Sequence, residues 1–179
     1  MKKIIALTIL GLLVYMNVFS QQQATIHGVV TITLPKNVEK LTKEELVAQK
    51  PDKGKSSPIV LENFKGETYK LKDILIQLNA ASIAPKPDLL VQQKKEIDDL
   101  YSFSQPQFYS TSIERLQNHS VLITNFDNPQ DSKGYFIFKC YNKSGNSVLI
   151  GTLEYDQINK KVAQKNLNQI IQSIKFKKP

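Results

Sequence analysis

The apolar positions of this chain follow three patterns. Ile4 to Met16 is an almost unbroken apolar stretch, short alternating or β-branched runs dominate between Ile26 and Tyr155, and two segments repeat at helical period. The opening stretch, preceded by Lys2 and Lys3 and followed by Val18-Phe19-Ser20, has the positive start, apolar centre and small-x-small end of a cleavable export signal. It falls short of the roughly 20 apolar residues that a membrane span needs, and no cysteine follows it to take a lipid. Residues 1–20 are therefore expected to be a signal peptide, and residues 21–179 a single periplasmic or secreted domain, not a lipoprotein and with no stable membrane insertion after cleavage.

Ile26 to Leu34 predicts a first strand, stopped by Pro35. Thr42 and Glu45 have capping-box spacing and Leu41 and Leu46 hydrophobic-staple spacing, so a short helix should follow, closed by Pro51. Residues 50–58, KPDKGKSSP, lack an apolar anchor and read as an exposed loop. A strand is expected from Ile59, a turn at Lys65-Gly66, and a second strand to about Ala81. From Asp88 to Tyr101 the period is helical, with Leu89, Leu90, Gln93, Ile97, Leu100 and Tyr101 on one face about 120° wide. That face predicts a helix laid on a large apolar surface.

Three or four strands should follow, roughly over Tyr109 to Arg115, Val121 to Phe126, Gly134 to Tyr141 and Val148 to Tyr155. The last two flank the turn cluster Asn142 to Asn146, and a turn centred on Ser144-Gly145 sets Phe136, Phe138 and Cys140 opposite Leu153, Gly151 and Leu149. The opposite face, with Tyr135, Ile137 and Tyr141 against Val148, Ile150 and Thr152, is also too apolar for water. Both faces thus need cover. A closing helix with Ala163, Leu167, Ile170, Ile171 and Ile174 on one stripe can supply it. The expected architecture is α+β, an antiparallel sheet of about six strands flanked by helices as an α/β/α sandwich.

Charge and cysteine usage narrow the possible partners. The full chain carries +8, and losing Lys2 and Lys3 leaves 22 basic against 16 acidic residues, or +6. All the cations but Arg115 are lysines, whereas base and phosphate recognition favours arginine forks. With an export signal as well, nucleic acid is excluded as the expected partner. Cys140 is the single cysteine, so no internal disulfide can form, and its Phe and Leu neighbours predict a buried, unreactive thiol.

The strand from Val29 to Leu34 before a proline, the long central helix, the meander and the closing helix running into Ser173-Ile174-Lys175-Phe176-Lys177 resemble the Mog1/PsbP-like families. In residue pattern the resemblance lies in ITLPKN at 32–37 and IIQSIKFK at 170–177. It implies an α/β/α sandwich and a binding or accessory role, and carries over no functional residue.

No motif supplies chemistry. His27 and His119 are far apart and outside any metal-binding or catalytic spacing, Asp127 to Asp131 reads as a turn rather than a calcium loop, and Asp98 and Asp99 diverge by about 100° on their helix. No catalytic residue, metal ligand or cofactor is expected. Besides the exposed loop at 50–58, a candidate contact surface, the segment suited to contact is SFSQPQ at 102–107, where Tyr101, Phe103, Phe108 and Tyr109 form a binding rim; the competing reading docks these rings into the core. The expectation is a non-catalytic exported binding or accessory protein whose partner is another envelope protein or a small ligand. Its alternatives are an immunity-like toxin inhibitor in the periplasm, and a small hydrolase or ligand carrier with a site at a sheet edge, in a pocket where His27 or His119 meets a carboxylate.

Overall fold

The computed structural model describes residues 22–48, 65–85, 89–102, 108–116, 119–128 and 132–177. The expected export signal, the expected loop at 50–58, the strand expected from Ile59, and Phe103 lie outside the described residues. In chain order the strands are β1 (Gln23–Ile26), β2 (Val30–Thr33), β3 (Glu39–Lys40), β4 (Glu67–Leu71), β5 (Ile74–Ser82), β6 (Tyr109–Arg115), β7 (His119–Asn128), β8 (Lys133–Asn142), β9 (Ser147–Asp156) and β10 (Lys175–Phe176). The helices are α1 (Lys43–Ala48), α2 (Leu89–Leu100) and α3 (Lys160–Ser173).

The main sheet is antiparallel and seven-stranded, in the order β3-β4-β5-β9-β8-β7-β6. Its centre has the register expected from the turn cluster: Phe136, Phe138 and Cys140 pair with Leu153, Gly151 and Leu149. All of these residues are buried. The turn is held by Asn142, whose Oδ1 accepts the backbone N–H groups of Asn146 at 3.0 Å and Ser147 at 3.1 Å, while Gly145 takes a left-handed φ of 70°. A side chain that mimics a backbone acceptor at the mouth of the turn removes the choice of register.

Two strand expectations need correction. Ile26 to Leu34 is not one strand: His27 and Gly28 have φ of 47° and 72°, the Val29 N–H closes on the Ile26 carbonyl at 3.0 Å, and the chain folds into the β1–β2 hairpin. The strand expected to run on to Ala81 likewise splits into β4 and β5 at Lys72-Asp73, where Lys72 has φ of 53°. A left-handed lysine carries no composition signal, so this turn is invisible to a search for Gly and Pro.

The β1–β2 hairpin and β10 form a separate three-stranded sheet, which shares one face of the main sheet with α3. Helix α3 buries Ala163, Leu167, Ile170 and Ile171 there, and each Leu or Ile contributes roughly 1.5–3 kcal/mol. Segments 32–37 and 170–177 meet: the Ser173 hydroxyl accepts the Thr33 N–H at 2.8 Å, Gln169 Nε2 donates to the Leu34 carbonyl at 3.1 Å, and Phe176 pairs with Val30. After β3 the capping box on α1 is reciprocal, Thr42 N–H to Glu45 at 2.7 Å and Glu45 N–H to Thr42 Oγ1 at 3.3 Å.

Helix α2 lies on the opposite face, over β6 and β7. It meets the sheet with most of the expected face, since Leu89, Leu90, Gln93, Ile97 and Tyr101 are half-buried, but none of its residues is fully buried and Leu100 is 70% exposed. Polar ties help to set its rotation, with Gln93 Nε2 donating to the Tyr141 hydroxyl at 3.1 Å and the Tyr109 hydroxyl donating to Asp98 at 2.9 Å.

Candidate functional site

Because α3 packs on β8 and β9 and ties to β7 at His119, Ser110, Ser112 and Glu114 on the β6 margin of the same sheet face stay exposed among the described residues. Register places Ser110, Ser112 and Glu114 of β6 on that margin, beside Asn125 and Ile123 of β7. With Lys160 and Gln164 from the start of α3 as the opposite wall, they line a polar cleft of about 220 Å³.

The floor of the cleft is organised by Tyr155. Its neighbour across the strands is Gly134, where a Cβ would lie 2.3 Å from the ring, so the glycine lets the phenol cross β8 and reach β7. There its hydroxyl donates to Asn125 Oδ1 at 2.9 Å, with Asp127 Oδ1 at 3.4 Å. Burial, followed by the charge of Asp127, pushes the Tyr155 phenol up, so it stays a donor. Asp127 in turn pairs with Lys160 at 2.5 Å. The network is satisfied and charge-balanced. Ser110 and Ser112 line the cleft as exposed hydroxyls, with no hydrogen bond to a histidine or carboxylate among the described residues.

On the opposite face of the same margin, Tyr101 stacks on Tyr109 with ring centroids 5.0 Å apart and meets the Phe126 ring edge-on at 4.5 Å. Burial, then the hydrogen bond and charge of Asp98, push the Tyr109 phenol up to about 12. Asp98 is held below the usual carboxylate range by its bond with Lys94, at 2.5 Å, and by Tyr109. Of the expected rim, Tyr101 and Tyr109 come together in this corner, Phe108 adjoins it half-buried, and Phe126 is a member that sequence reading missed.

The two histidines act as ties between layers. His27 Nδ1 lies 3.0 Å from the Ala80 carbonyl on β5, and His119 Nε2 lies 3.0 Å from the Ile171 carbonyl near the end of α3. A carbonyl partner makes each of these nitrogens the N–H donor. Neither histidine hydrogen-bonds to a carboxylate among the described residues. The carboxylate nearest in influence, Glu67, accepts from the Tyr69 hydroxyl and pairs with Lys40 at 2.9 Å. Burial alone would raise its pKa, but these two hydrogen bonds, with weaker help from the Lys40 and His27 charges, lower it. Cys140 is buried and its thiol is pushed up by desolvation. Among the described residues no group of three or more His, Cys, Asp or Glu is placed to hold a metal.

A wider hollow of about 620 Å³ runs along the solvent side of α3, lined by Lys161, Lys165, Asn168 and Gln172 with Thr33 and Ser173. It runs along the solvent-facing side of an amphipathic helix and is lined by polar and charged side chains.

No known family model matches the chain, and no curated protein matches it in sequence. Solved structures do. The chain is similar to cyanobacterial PsbP (CyanoP) from Synechocystis, at TM-score 0.50 and 9% identity over 88% of this chain and 93% of that one. It is also similar to a protein from Bacteroides thetaiotaomicron, at 0.53 and 11% over 88% of this chain but half of that one. A further match, the Ran-binding protein Mog1p of Saccharomyces cerevisiae, has TM-score 0.47 and 9% identity over 87% and 95% of the two chains. Identities this low establish architecture and nothing about activity: the chain has a PsbP-like α+β fold.

Proposed function

We propose that this is a non-catalytic binding or accessory protein, exported by cleavage after Ser20 and acting through the β6 margin on another protein of the cell envelope. The observation that carries this reading is the convergence on β6 of two surfaces without catalytic machinery. One is the satisfied polar cleft around Tyr155, the other the aromatic corner of Tyr101, Tyr109 and Phe126. Tyrosine-rich corners beside serine-rich strands give large contact area at low entropic cost. The cleft falls below the 300–1,000 Å³ usual for small-molecule sites, which favours a protein partner over a ligand carrier. A hydrolase is disfavoured because both histidines tie down backbone carbonyls.

The test is a photo-crosslinking residue placed at Tyr101 or Ser112 in the native host, with exposed Lys70 on β4 as control. Discrete adducts with an envelope protein from the first two positions and none from Lys70 are expected. Equal labelling from all three, or none from any, refutes the binding surface. Mass measurement of the same recovered protein tests export, since a chain beginning at Met1 rather than Gln21 would sink that part.

A further inference from the structure

Strand β6 ends the main sheet, with β7 as its single neighbour among the described strands. The Leu116 N–H bonds the His119 carbonyl at 2.9 Å, which fixes the phase of the β6–β7 ladder. Antiparallel pairs alternate between bonded and non-bonded, so Glu114, Ser112 and Ser110 exchange hydrogen bonds with Val121, Ile123 and Asn125. The N–H and C=O groups of Tyr109, Thr111, Ile113 and Arg115 therefore point outward, and no backbone hydrogen bond among the described residues takes them. Exposed edges are ordinarily shortened, bulged or guarded by proline and lysine. The edge at β3 is two residues long, whereas β6 has seven paired residues, constant register, no proline and no lysine.

Helix α2 gives this edge a second wall. The Asp98 flank of α2 faces β6, because Asp98 holds the Tyr109 hydroxyl, while the Gln93 flank faces β8 through Tyr141. Val91 lies seven residues before Asp98, hence on the same flank, and is 59% exposed. At that end of β6, Arg115 is exposed and has no ion-pair partner among the described residues. We propose that the outer edge of β6, walled by α2, receives an extended segment of another protein as an eighth strand, with apolar side chains against Val91 and Ile113 and a carboxylate at Arg115.

Charge selects this occupant over a second copy of the chain. In a two-fold pairing centred on Ser112, which uses all of β6, Arg115 faces Tyr109 and Glu114 faces Ser110, so neither charge is met, and two mature chains of net charge +6 repel. An acidic–apolar strand satisfies Arg115 and the outward backbone groups together.

This inference rests on the binding reading above and can fail without it. The probe is a displayed library of random heptapeptides panned against the purified mature chain, followed by residue-resolved amide exchange with the best peptide bound. Enriched sequences should alternate apolar and acidic residues. Binding should slow exchange at Thr111 and Ile113 by about tenfold or more, leaving the Ser110 and Ser112 amides, already bonded to β7, unchanged. N-methylation of alternate peptide nitrogens should abolish binding. Arg115→Glu should weaken an acidic peptide about tenfold while improving its lysine-substituted version, a swap that a misfolded variant would not produce. No enrichment, binding without protection at Thr111 and Ile113, indifference to N-methylation, or protection arising from a concentration-dependent dimer would each overturn the proposal. Crosslinks from Tyr101 together with an unprotected β6 edge would leave the binding surface standing and remove strand addition.

Discussion

Replacing Gly151 with alanine tests the packing that positions β9, and with it Tyr155. Gly151 sits opposite Phe138 on one side and Leu78 on the other, and all three lie inside the core. A Cβ there would be 2.2 Å and 2.3 Å from two ring carbons of Phe138 and 2.9 Å from Leu78 Cδ2, against the 3.5–4 Å that carbon contacts prefer. Phe138 and Leu78 are each 0% exposed, so the ring has no solvent to retreat into. Alanine gains about 0.4–1 kcal/mol by restricting the unfolded chain, but overpacking costs about 1–3 kcal/mol. The clash should win by about 1–2 kcal/mol, lowering the melting temperature by roughly 3–6 °C for a domain this size. Urea unfolding followed by circular dichroism measures it. Adding Phe138→Leu should make the double variant more stable than the sum of the single losses, by about 1 kcal/mol. A Gly151→Ala chain as stable as the parent, or strictly additive variants, would refute the reasoning.

Tyr155→Phe removes the donor that Asn125 receives in the cleft and should cost about 1 kcal/mol in urea unfolding; no loss would mean that the hydroxyl does not organise the floor. Gln77→Met should gain about 1 kcal/mol, because the buried Gln77 Nε2 has no hydrogen-bond partner among the described residues, and a loss would show that the amide is satisfied. Tyr69, Tyr109 and Tyr155 are all held protonated above the ordinary tyrosine pKa of 10, Tyr109 to about 12. Their contribution to stability is therefore complete below pH 10 and lost as pH rises from about 10 to 12 and beyond. Ultraviolet titration should show Tyr109→Phe losing the step near 12, and a normal titration of all tyrosines in the folded protein would contradict it. Cys140 should resist a thiol reagent in the folded chain and react fully in denaturant, as its burial requires.

The hairpin of β8 and β9 was readable to the residue, because one apolar face and one polar turn admit a single register. The capping box at Thr42 was readable for a related reason: its partners lie three residues apart, so local geometry decides it. Where a turn depended on backbone angles without a glycine at its centre, as at Lys72, the chain gave no warning. The face of α2 was legible except at Leu100, because counting apolar positions cannot weigh the Asp98–Tyr109 bond against that leucine. The tyrosine corner was legible in part, since Tyr101 and Tyr109 are close in sequence, while Phe126 arrives from the next strand.

By itself, then, the sequence determined the sandwich architecture, the central register, the burial of Cys140 and the absence of a recognised catalytic motif. These follow from periodicity and near-neighbour chemistry. The tertiary structure alone decided which faces were left bare. The cleft draws on residues from Ser110 to Gln164, Tyr155 reaches β7 because Gly134 yields the space, and the outward groups of β6 exist because no described strand lies beyond it. Exposure at a sheet margin is a property of what fails to cover it, and hydrophobic pattern along a single chain does not encode that.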